Sequence, residues 1–567
     1  MTGIEEALGD PADPGSPLGH PEVLAADERQ EMFAEGERAL DAYGLNAEFV
    51  PVEWGGRLTR LDRMIEVMRA VWRRDPCLGL GYGASSFISS VNVWAAGTPE
   101  QRRTVADTLL SGGKIASVYH ELAHGNDFAR AECAGRVGQD GSVVLRGRKE
   151  VVTNVQRADA LVIFTRTAAD AGSRSHSQVL LDKADVPAER MTYLPRFPST
   201  GMRGVQLGGV EFDDCPTGAG ALIGEEGAGM ETALRSFQLT RTALPGMVTG
   251  VLDTGLRTVT GFAAGRRLYG ASALDIPRVR AALAEGFADL LVCDAFATTG
   301  ARALHLMPDR SYVYASLVKY EVSKRLIDAM DRLSLILGAR GYLREGPHAI
   351  FQKLLRDLAV VGFGHAARVA CLATVLPQLP RLARRSWTEA PDPTAALSTL
   401  GGALPPLPFT RLSMTVTGHD ELSAVPFAVL DEITPGATGD LGEVRRLALL
   451  FAGELKELKQ RCAALPPREL GIDASAGTLA YAARYAAVLG AASCLHVWRH
   501  NQHGGGFLAD PVWLVAALTR LAAKTGRHAG LLPEAVSHRL SGELLARHGE
   551  NRSFHLSDHP LPRAAAQ

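Results

Sequence analysis

The spacing of apolar residues changes along the 567-residue chain in a way that predicts three successive regions of secondary structure. From residue 22 to about 115, apolar positions recur every three or four residues, as in TRLDRMIEVMRAVWRRD, which predicts amphipathic helices. Between about 116 and 222 the chain breaks into short β-rich runs, such as GSVVLRGRKEVVTNV and GVQLGGVEFDDC, with turn residues between them. Helical spacing returns at about Gly229 and continues through four long segments to about Leu379. The order predicted is helical, antiparallel β, then helical.

The last third of the chain predicts a further helical unit. Residues 384–409 are rich in Pro, Gly, Ser and Thr, which indicates a linker or an irregular crossing. Helical patterns follow, and DPVWLVAALTRLAAKTG begins with Asp-Pro, a pair suited to the first positions of a helix. The predicted domains are a disordered N-terminus (1–21), a helical domain (22–115), a central β domain (116–225), a helical bundle (226–383), a linker (384–409) and an extra helical domain (410–567).

Composition and charge exclude several classes of protein. The 60 basic and 62 acidic residues are interleaved and give a net charge of -2, so nucleic-acid binding is not expected. The segment MTGIEEALGDPADPGSPLGH lacks the basic and apolar regions of a signal peptide, and no uncharged apolar run reaches about 18 residues. We therefore expect a cytoplasmic protein without a transmembrane segment. The seven cysteines lie far apart without a CxxC pair, which predicts reduced, mostly buried thiols.

Six segments, in chain order, resemble those of the acyl-CoA dehydrogenase family. GTPEQRRTVADTLLSGGKIASVYHELAHGND resembles the approach to the family's Thr-Glu-Pro-x-x-Gly-Ser-Asp motif, and LRGRKEVVTNVQRADALVIFTRT resembles its Lys-Trp-Ile-Thr-Asn strand. GMRGVQLGGVEFDDC and LIGEEGAGMETALRSFQLTR resemble the end of its β domain and the start of its helical domain. GFAAGRRLYG resembles its Arg-x-x-Phe-Gly helix end, and LILGARGYLREGPHAIFQKLLRD resembles its Gln-x-x-Gly-Gly-x-Gly segment with the Arg-Asp beyond it.

The resemblance, over about residues 45–380, implies an α+β fold. That fold has an N-terminal helical domain, a central antiparallel β domain and a C-terminal four-helix bundle, here followed by an additional helical domain. It also implies FAD as cofactor, an acyl-CoA or acyl-carrier-protein substrate, and a homodimer or homotetramer.

The resemblance assigns roles to particular residues. Thr153 matches the threonine that hydrogen-bonds the reactive edge of the flavin, and Arg266 matches the arginine that reaches the FAD pyrophosphate across a subunit interface. Arg241 matches the arginine beside the acyl-CoA and the catalytic base. The cofactor-binding set implied is His120, Thr153, Arg266, Tyr269, Gly338 and Gly341, and the substrate-binding set is Asn126 (beside Asp127), Gln238 and Thr240.

Several positions depart from the family's pattern. The catalytic glutamate is expected nine residues after Arg356, where the chain has His365, followed by Ala366-Ala367 instead of Gly-Thr. Some relatives carry the base one residue before the arginine matched by Arg241, and that position is Thr240. The other replacements are His120 for threonine, Leu122 for proline, His124 for alanine or glycine, Val151 for the flavin-stacking tryptophan, Leu335 for glutamine and Gln238 for aspartate.

The missing glutamate leaves three functions open. Desaturation of an acyl thioester requires a base for the α proton, because that proton is too weakly acidic to leave unaided. A neutral imidazole, with a free pKa near roughly 6.5, can serve as that base, so His365 and Arg241 are the predicted catalytic residues. The first hypothesis is thus an acyl thioester oxidation with a rewired base. The second is a flavin-dependent monooxygenase on the same scaffold, and the third is a non-catalytic or half-site partner of a true dehydrogenase.

The segment HVWRHNQHGGG places His496, His500 and His503 four and three residues apart, on one helical face. Such spacing can suit zinc. No carboxylate or cysteine pattern of a metal site accompanies it in the sequence, so no metal is predicted.

Overall fold

A computed structural model describes residues 2–13, 15–364 and 366–563. His365 lies outside the described residues. The chain divides into two units, one of residues 1–240 with 407–412 and the other of residues 241–406 with 413–567. This division groups the N-terminal helices with the β domain, so the predicted border near residue 115 remains a prediction.

Helices form the N-terminal part of the first unit. They are α1 (Thr2–Leu8), α2 (His20–Arg29), α3 (Ala34–Tyr43), α4 (Leu61–Arg74), α5 (Ser85–Ala96) and α6 (Pro99–Leu110). The prediction that residues 1–21 are disordered is wrong for α1, because Ile4 and Leu8 are buried and Glu5 pairs with Arg73 of α4. The Pro and Gly content suggested disorder, but two apolar side chains four residues apart are enough to dock one helical face.

An eight-stranded sheet follows in the same unit. Its strands are β1 (Ile115–Val118), β2 (Ala134–Val137), β3 (Val143–Thr153), β4 (Ala160–Arg166), β5 (His176–Asp182), β6 (Met191–Leu194), β7 (Leu207–Pro216) and β8 (Leu222–Ile223). The order is β6-β7-β3-β2-β4-β5-β8, with β1 beside β4. The long pairings β3–β7 and β4–β5 are antiparallel, as predicted, whereas β1 runs parallel to β4. Alternation along β3 places Val143, Leu145 and Lys149 in the core.

Long helices begin the second unit. The helices and the small hairpin are α7 (Gly229–Gly265, which starts in the first unit), β9 (Arg267–Leu268), β10 (Ala271–Ser272), α8 (Pro277–Leu306), α9 (Ser311–Leu337), α10 (Ile350–Leu358), α11 (Arg368–Val375) and α12 (Leu379–Arg385). Three of the four predicted long segments are single helices. The fourth is broken after α10 by a 3-10 turn at Ala359–Gly362. Gly362 and Gly364 lie at this break, where glycine weakens a helix.

The C-terminal helices complete the second unit. They are α13 (Val425–Glu432), α14 (Gly439–Ala463), α15 (Ala476–His500), α16 (Gly506–Ala509), α17 (Pro511–Ala522) and α18 (Glu534–Glu550). The Pro-rich stretch before them is a packed, irregular crossing, because buried Arg302 of α8 donates hydrogen bonds to the carbonyl oxygens of Ala396 (2.8 Å) and Gly402 (3.1 Å).

A buried carboxylate joins the crossing to the helices. Asp420 accepts hydrogen bonds from the Tyr314 hydroxyl of α9 (2.6 Å), from the indole N–H of Trp387 (3.2 Å) and from the Tyr485 hydroxyl of α15. Burial raises the pKa of Asp420, although these hydrogen bonds oppose the rise. The three donors share one acceptor group, so its loss would leave all of them unsatisfied in the core.

Two further expectations concern burial. All seven cysteines are free and buried, as predicted. Among the described residues, α15 alone is long and apolar enough to cross a bilayer, but 72% of its most apolar window is buried inside the protein. Such burial is typical of the core helix of a packed domain.

Candidate cofactor and substrate site

Thr153 ends β3, and the residue after it fixes its position. Asn154 has a φ of 62°, and its backbone N–H donates to the Gln206 carbonyl oxygen at 2.7 Å. The fully buried Asn154 side chain donates to Ser85 Oγ at 3.0 Å and to the Gly81 carbonyl oxygen. Thr153 itself is half-buried. The hydrogen bonds of Asn154 therefore fix the backbone directly after Thr153.

His120 and Asn126, predicted as a cofactor and a substrate residue, are brought together. Asn126 acts on the pKa of His120 as a hydrogen-bond partner, and the imidazole packs edge-on against Phe128 with ring centroids 5.2 Å apart. Burial lowers the pKa of His120, the charge of Lys149 lowers it further, and the hydrogen bond with Asn126 opposes both. His120 is therefore a neutral imidazole near pH 7.

A buried ion pair supports this loop. Lys149 Nζ lies 2.8 Å from Glu121 Oε1 and donates to the Tyr119 carbonyl oxygen at 3.0 Å. Glu121 also accepts from the backbone N–H groups of Glu132 (2.8 Å) and Cys133 (3.0 Å). Burial alone would raise the pKa of Glu121, but Lys149 and the two N–H groups bring it below its ordinary value. The pair thereby fixes the residues on either side of His120.

Gln238 and Thr240 lie inside the protein, on the part of α7 that belongs to the first unit. Their exposures are 1% and 0%, and Thr240 Oγ1 donates to the carbonyl oxygen of Phe237 at 3.3 Å. The Phe237 ring lies 5.9 Å from that of Phe128, the neighbour of His120. Helix α7 thus contacts the His120 loop through these rings, while the Thr240 hydroxyl is engaged by its own helix.

Arg241 belongs to the second unit, where it lies in a buried, positively charged region. It acts electrostatically on Tyr312 and Lys319 of α9 and on Cys371 of α11. Lys319 is 1% exposed and donates to the Val361 carbonyl oxygen at 2.8 Å. Burial lowers the pKa of Lys319 to about 8, and the groups that act on its charge are the Cys371 thiol and two guanidinium groups, with no carboxylate among them. A lysine buried in this way needs the carbonyl oxygen to stabilise its ammonium form.

Sequence reasoning did not identify Lys319 or Tyr312. They lie seven residues apart, two turns along one face of α9. The sequence feature that could have identified them is a lysine within the apolar stretch YVYASLVKYEV, seven residues after its first tyrosine.

His365 lies outside the described residues, so only its neighbours in the chain give information about this position. Val361, four residues before it, accepts the Lys319 hydrogen bond, and Arg368, three residues after it, acts on the same ammonium group. Ala366 is buried and has a φ of 89°. A side chain in this left-handed region is strained, and such strain concentrates at functional sites. The family's glycine at this position, which the chain replaces with alanine, suits the observed backbone.

The residues matched to FAD binding fit an approach by a flat, phosphate-bearing group. Gly338 has a φ of 54°, and a Cβ added there would meet nothing within 4 Å, so its backbone is open to a ligand. Gly341 is tighter, since an added Cβ would lie 3.1 Å from Leu337 Cβ. Arg266 is exposed just beyond α7, and Tyr269, at the tip of the β9–β10 hairpin, is 100% exposed. The guanidinium and the open glycine are the donors such a cofactor needs.

Two segments of the chain match descriptions of known domains. Residues 116–215 match "Acyl-CoA dehydrogenase, middle domain", and residues 227–365 match "Acyl-CoA dehydrogenase, C-terminal domain". The two matched segments, which together make up less than half of the chain, are therefore similar to the middle and C-terminal domains of acyl-CoA dehydrogenases.

Curated relatives and solved structures agree with this assignment. The 2-methylacyl-CoA dehydrogenase of Solanum tuberosum is 25% identical over 338 residues, 56% of this chain and 76% of the relative. The human short-chain specific acyl-CoA dehydrogenase is 25% identical over 334 residues, 57% of this chain and 78% of the relative. An acyl-CoA dehydrogenase from Bacillus anthracis, solved in complex with FAD, has 16% identity and a TM-score of 0.68, over 98% of this chain and 91% of that one.

A second structural neighbour is named for a different kind of substrate. The prolyl acyl carrier protein oxidase AnaB has 18% identity and a TM-score of 0.57, over 62% of this chain and 91% of that one. The structural likenesses show the fold: N-terminal helices, β middle domain, C-terminal helices and, in the Bacillus anthracis protein, the helices beyond residue 365 as well. The predicted fold class is confirmed.

Proposed function

We propose that the protein is an FAD-dependent oxidoreductase that removes hydrogen from the α and β carbons of an acyl thioester, with His365 as the base. The observation that carries the proposal is the positive region around Arg241 and Lys319, because residues on either side of position 365 in the chain, Val361 and Arg368, both act on Lys319. Loss of the α proton places negative charge on the thioester oxygen, and fixed positive charge in a dry site stabilises such charge strongly.

An imidazole could serve as the base without the raised pKa that a carboxylate needs. Its free pKa of roughly 6.5 leaves it mostly neutral and able to accept a proton at neutral pH. The buried Ala366, next in the chain, has a φ of 89°, and backbone strain of this kind concentrates at functional sites. These observations support a working base instead of a retired site.

In the first unit the candidates for FAD contacts are Thr153 and His120. In the second unit, considered separately, they are Arg266, Tyr269, Gly338 and Gly341. FAD, when bound, supplies the acceptor for the hydride that leaves the β carbon. The hydroxyl of Thr153 and the neutral ring of His120 can each donate one hydrogen bond to it. The open backbone of Gly338 would lie against its dinucleotide part.

The substrate would be carried on CoA or on an acyl carrier protein. Both carriers present a pantetheine arm, and both occur in the names of similar proteins. The exposed amide of Asn126, linked to His120, is the side chain that supports contact with this arm. Gln238 and Thr240 are buried, so their support is indirect, through the shape of α7.

A homo-oligomer would complete the site. Tyr269 is fully exposed on a hairpin tip beside Arg266, and Leu335 (79%) and Tyr342 (91%) are exposed at the end of α9. Large apolar side chains so exposed are typical of association surfaces. Changing Tyr269 to Ser should shift the mass in light scattering toward the monomer and release FAD in the same variant.

The test of the function is an anaerobic titration of purified protein loaded with FAD. An acyl-CoA and the same acyl group on a carrier protein are added separately, with the free acid as the control. Loss of the yellow flavin absorbance with either thioester, and none with the free acid, supports the proposal. A yellow protein that no thioester bleaches but that turns over with reduced flavin and oxygen indicates a monooxygenase. Failure to take up FAD indicates a non-catalytic subunit.

A further inference from the structure

Two histidines at the C-terminal end of α15 stand out among the buried polar groups. His496 is completely buried, and neither ring nitrogen has a hydrogen-bond partner of normal geometry among the described residues, although the backbone of Pro393 acts on its pKa. The Nε2 atom of His500 is also buried without such a partner in the described chain. The two rings lie 4.3 Å apart, centroid to centroid, at an interplanar angle of 64°. The imidazoles therefore pack edge to face across one turn of helix.

A buried polar atom without a partner is rare and indicates a missing water, ion or ligand. An imidazole nitrogen without a hydrogen-bond partner offers the lone pair that a metal ion requires.

The positive charge nearest to the histidine pair is itself paired with carboxylates. Arg499, the nearest positive group in sequence, lies 2.7 Å from Asp392 and is also paired with Glu432. Both carboxylates act on His500 as well. The guanidinium charge is therefore offset, and the region can accept a divalent ion.

We propose that His496 and His500 bind one divalent transition-metal ion, with Zn²⁺ as the reference ion and water completing its coordination. Imidazoles at positions i and i+4 of a helix are a common zinc-binding pair, and imidazole suits zinc, copper and nickel. His500 is half-buried and His496 is completely buried, so the pair lies at the border between the surface and the core.

The site would fasten the irregular crossing to α15. Asn501, directly after His500, donates to the Ser398 carbonyl oxygen at 2.8 Å and accepts from the Leu400 N–H at 3.0 Å. Asp392 and Pro393 of the same crossing lie against Arg499 and His496. An ion bound by the histidine pair would stabilise α15 at the place where it already contacts the crossing through Asn501 and Arg499. The proposal is independent of the flavin chemistry.

The test is calorimetric titration of ZnCl₂ into the full-length, tag-free protein as purified, before and after chelator treatment. One Zn²⁺ per chain should bind, and the melting temperature should rise with it. Loss of a residue that only supports a metal ligand typically costs about 10- to 100-fold in metal affinity. Loss of a ligand itself, in His500→Ala, should therefore weaken Zn²⁺ binding at least about tenfold. His496→Leu, which fills the buried position with an apolar side chain, should do the same.

The matched control is His503→Ala. His503 belongs to the same helix end but is exposed, so its loss should leave Zn²⁺ binding and the rise in melting temperature unchanged. Absence of stoichiometric binding would overturn the proposal, as would equal binding by His500→Ala and the wild type. Loss of binding in His503→Ala would assign the ion to the surface instead. If His496→Leu does not fold, His500→Ala decides the outcome.

Discussion

The buried ion pair between Lys149 and Glu121 offers a quantitative test of how the His120 loop is held. In Lys149→Met the side chain keeps its length but loses the charge, so the carboxylate of Glu121 stays buried without its cation. Lys149 is fully buried and Glu121 is 7% exposed. Removal of one partner of a buried pair costs about 3–5 kcal/mol. Since about 1.4 kcal/mol is a factor of ten, amides that exchange through opening of this region should exchange about a hundredfold to several thousandfold faster.

The assay is hydrogen exchange with mass spectrometry on peptides covering β3 and β4. The matched control is Arg148→Met on the neighbouring position of β3, where an exposed ion pair with Glu211 spans 2.8 Å. Exposed pairs contribute little, so exchange there should stay within about twofold of the wild type. Equal effects of the two variants would refute the assignment of the buried pair as the support of the loop.

The pH dependence gives a second check on the same pair. The folded-state pKa of Glu121 is lowered, so its contribution to stability is present above the unfolded pKa of about 4.3 and is lost as the pH falls through the folded value. The difference between wild type and Lys149→Met should therefore be largest at neutral pH and shrink on acidification. A difference that grows in acid would contradict this reasoning.

Three further predictions follow from single backbone and side-chain features. Gly338→Ala should weaken FAD uptake about tenfold or more, because a methyl group at a φ of 54° is strained by about 1–3 kcal/mol and enters the open space. The control is Gly112→Ala, at a φ of 89° in a turn after α6, which should lower only the stability of the protein. Equal FAD titrations for both variants would argue against a cofactor site at Gly338. Ala366→Gly should relieve strain and raise stability by about 1 kcal/mol in chemical unfolding, and a loss of stability would contradict it. The NMR titration midpoint of His120 should lie below about 6.5 and should fall further in Asn126→Ala, because the lost hydrogen bond opposes the lowering. The folded state holds this proton more weakly than the unfolded chain, so protonation of His120 on acidification from pH 7 destabilises the fold. An unchanged midpoint in Asn126→Ala would refute the contact.

The sequence predicted the helical and β layers because apolar periodicity reports directly on which face of an element is buried. It predicted long helices where α8 and α9 lie and antiparallel strands where β3, β4, β5 and β7 lie, but it did not assign which strands pair. The parallel contact of β1 with β4 was not predicted, because four residues carry too little pattern to reveal their partner. Helix α1 was missed because the Pro and Gly residues around it suggested disorder, whereas burial of Ile4 and Leu8 and the ion pair of Glu5 with Arg73 hold it in place.

The candidate site was predictable to a different degree. Thr153, His120 and Arg241 were identified by position in motifs, yet the hydrogen bond of His120 with Asn126 depends on how a loop folds back. Lys319 reaches the region around Arg241 only because α9 and α11 pack together. Contacts between residues so far apart in the chain have no signature in one sequence. The strain at Ala366 is likewise visible only in the backbone.

The most direct test of the central claim is the rate of flavin reduction by an acyl thioester in a single anaerobic turnover. The wild type, His365→Ala and His365→Glu are compared after each has been loaded with FAD to the same extent. If His365 is the base, His365→Ala should slow reduction by about 10²- to 10⁴-fold, and His365→Glu should recover much of the loss. In the wild type the rate should rise with pH through the titration of an imidazole. Equal rates in the wild type and in His365→Ala would contradict the proposed mechanism.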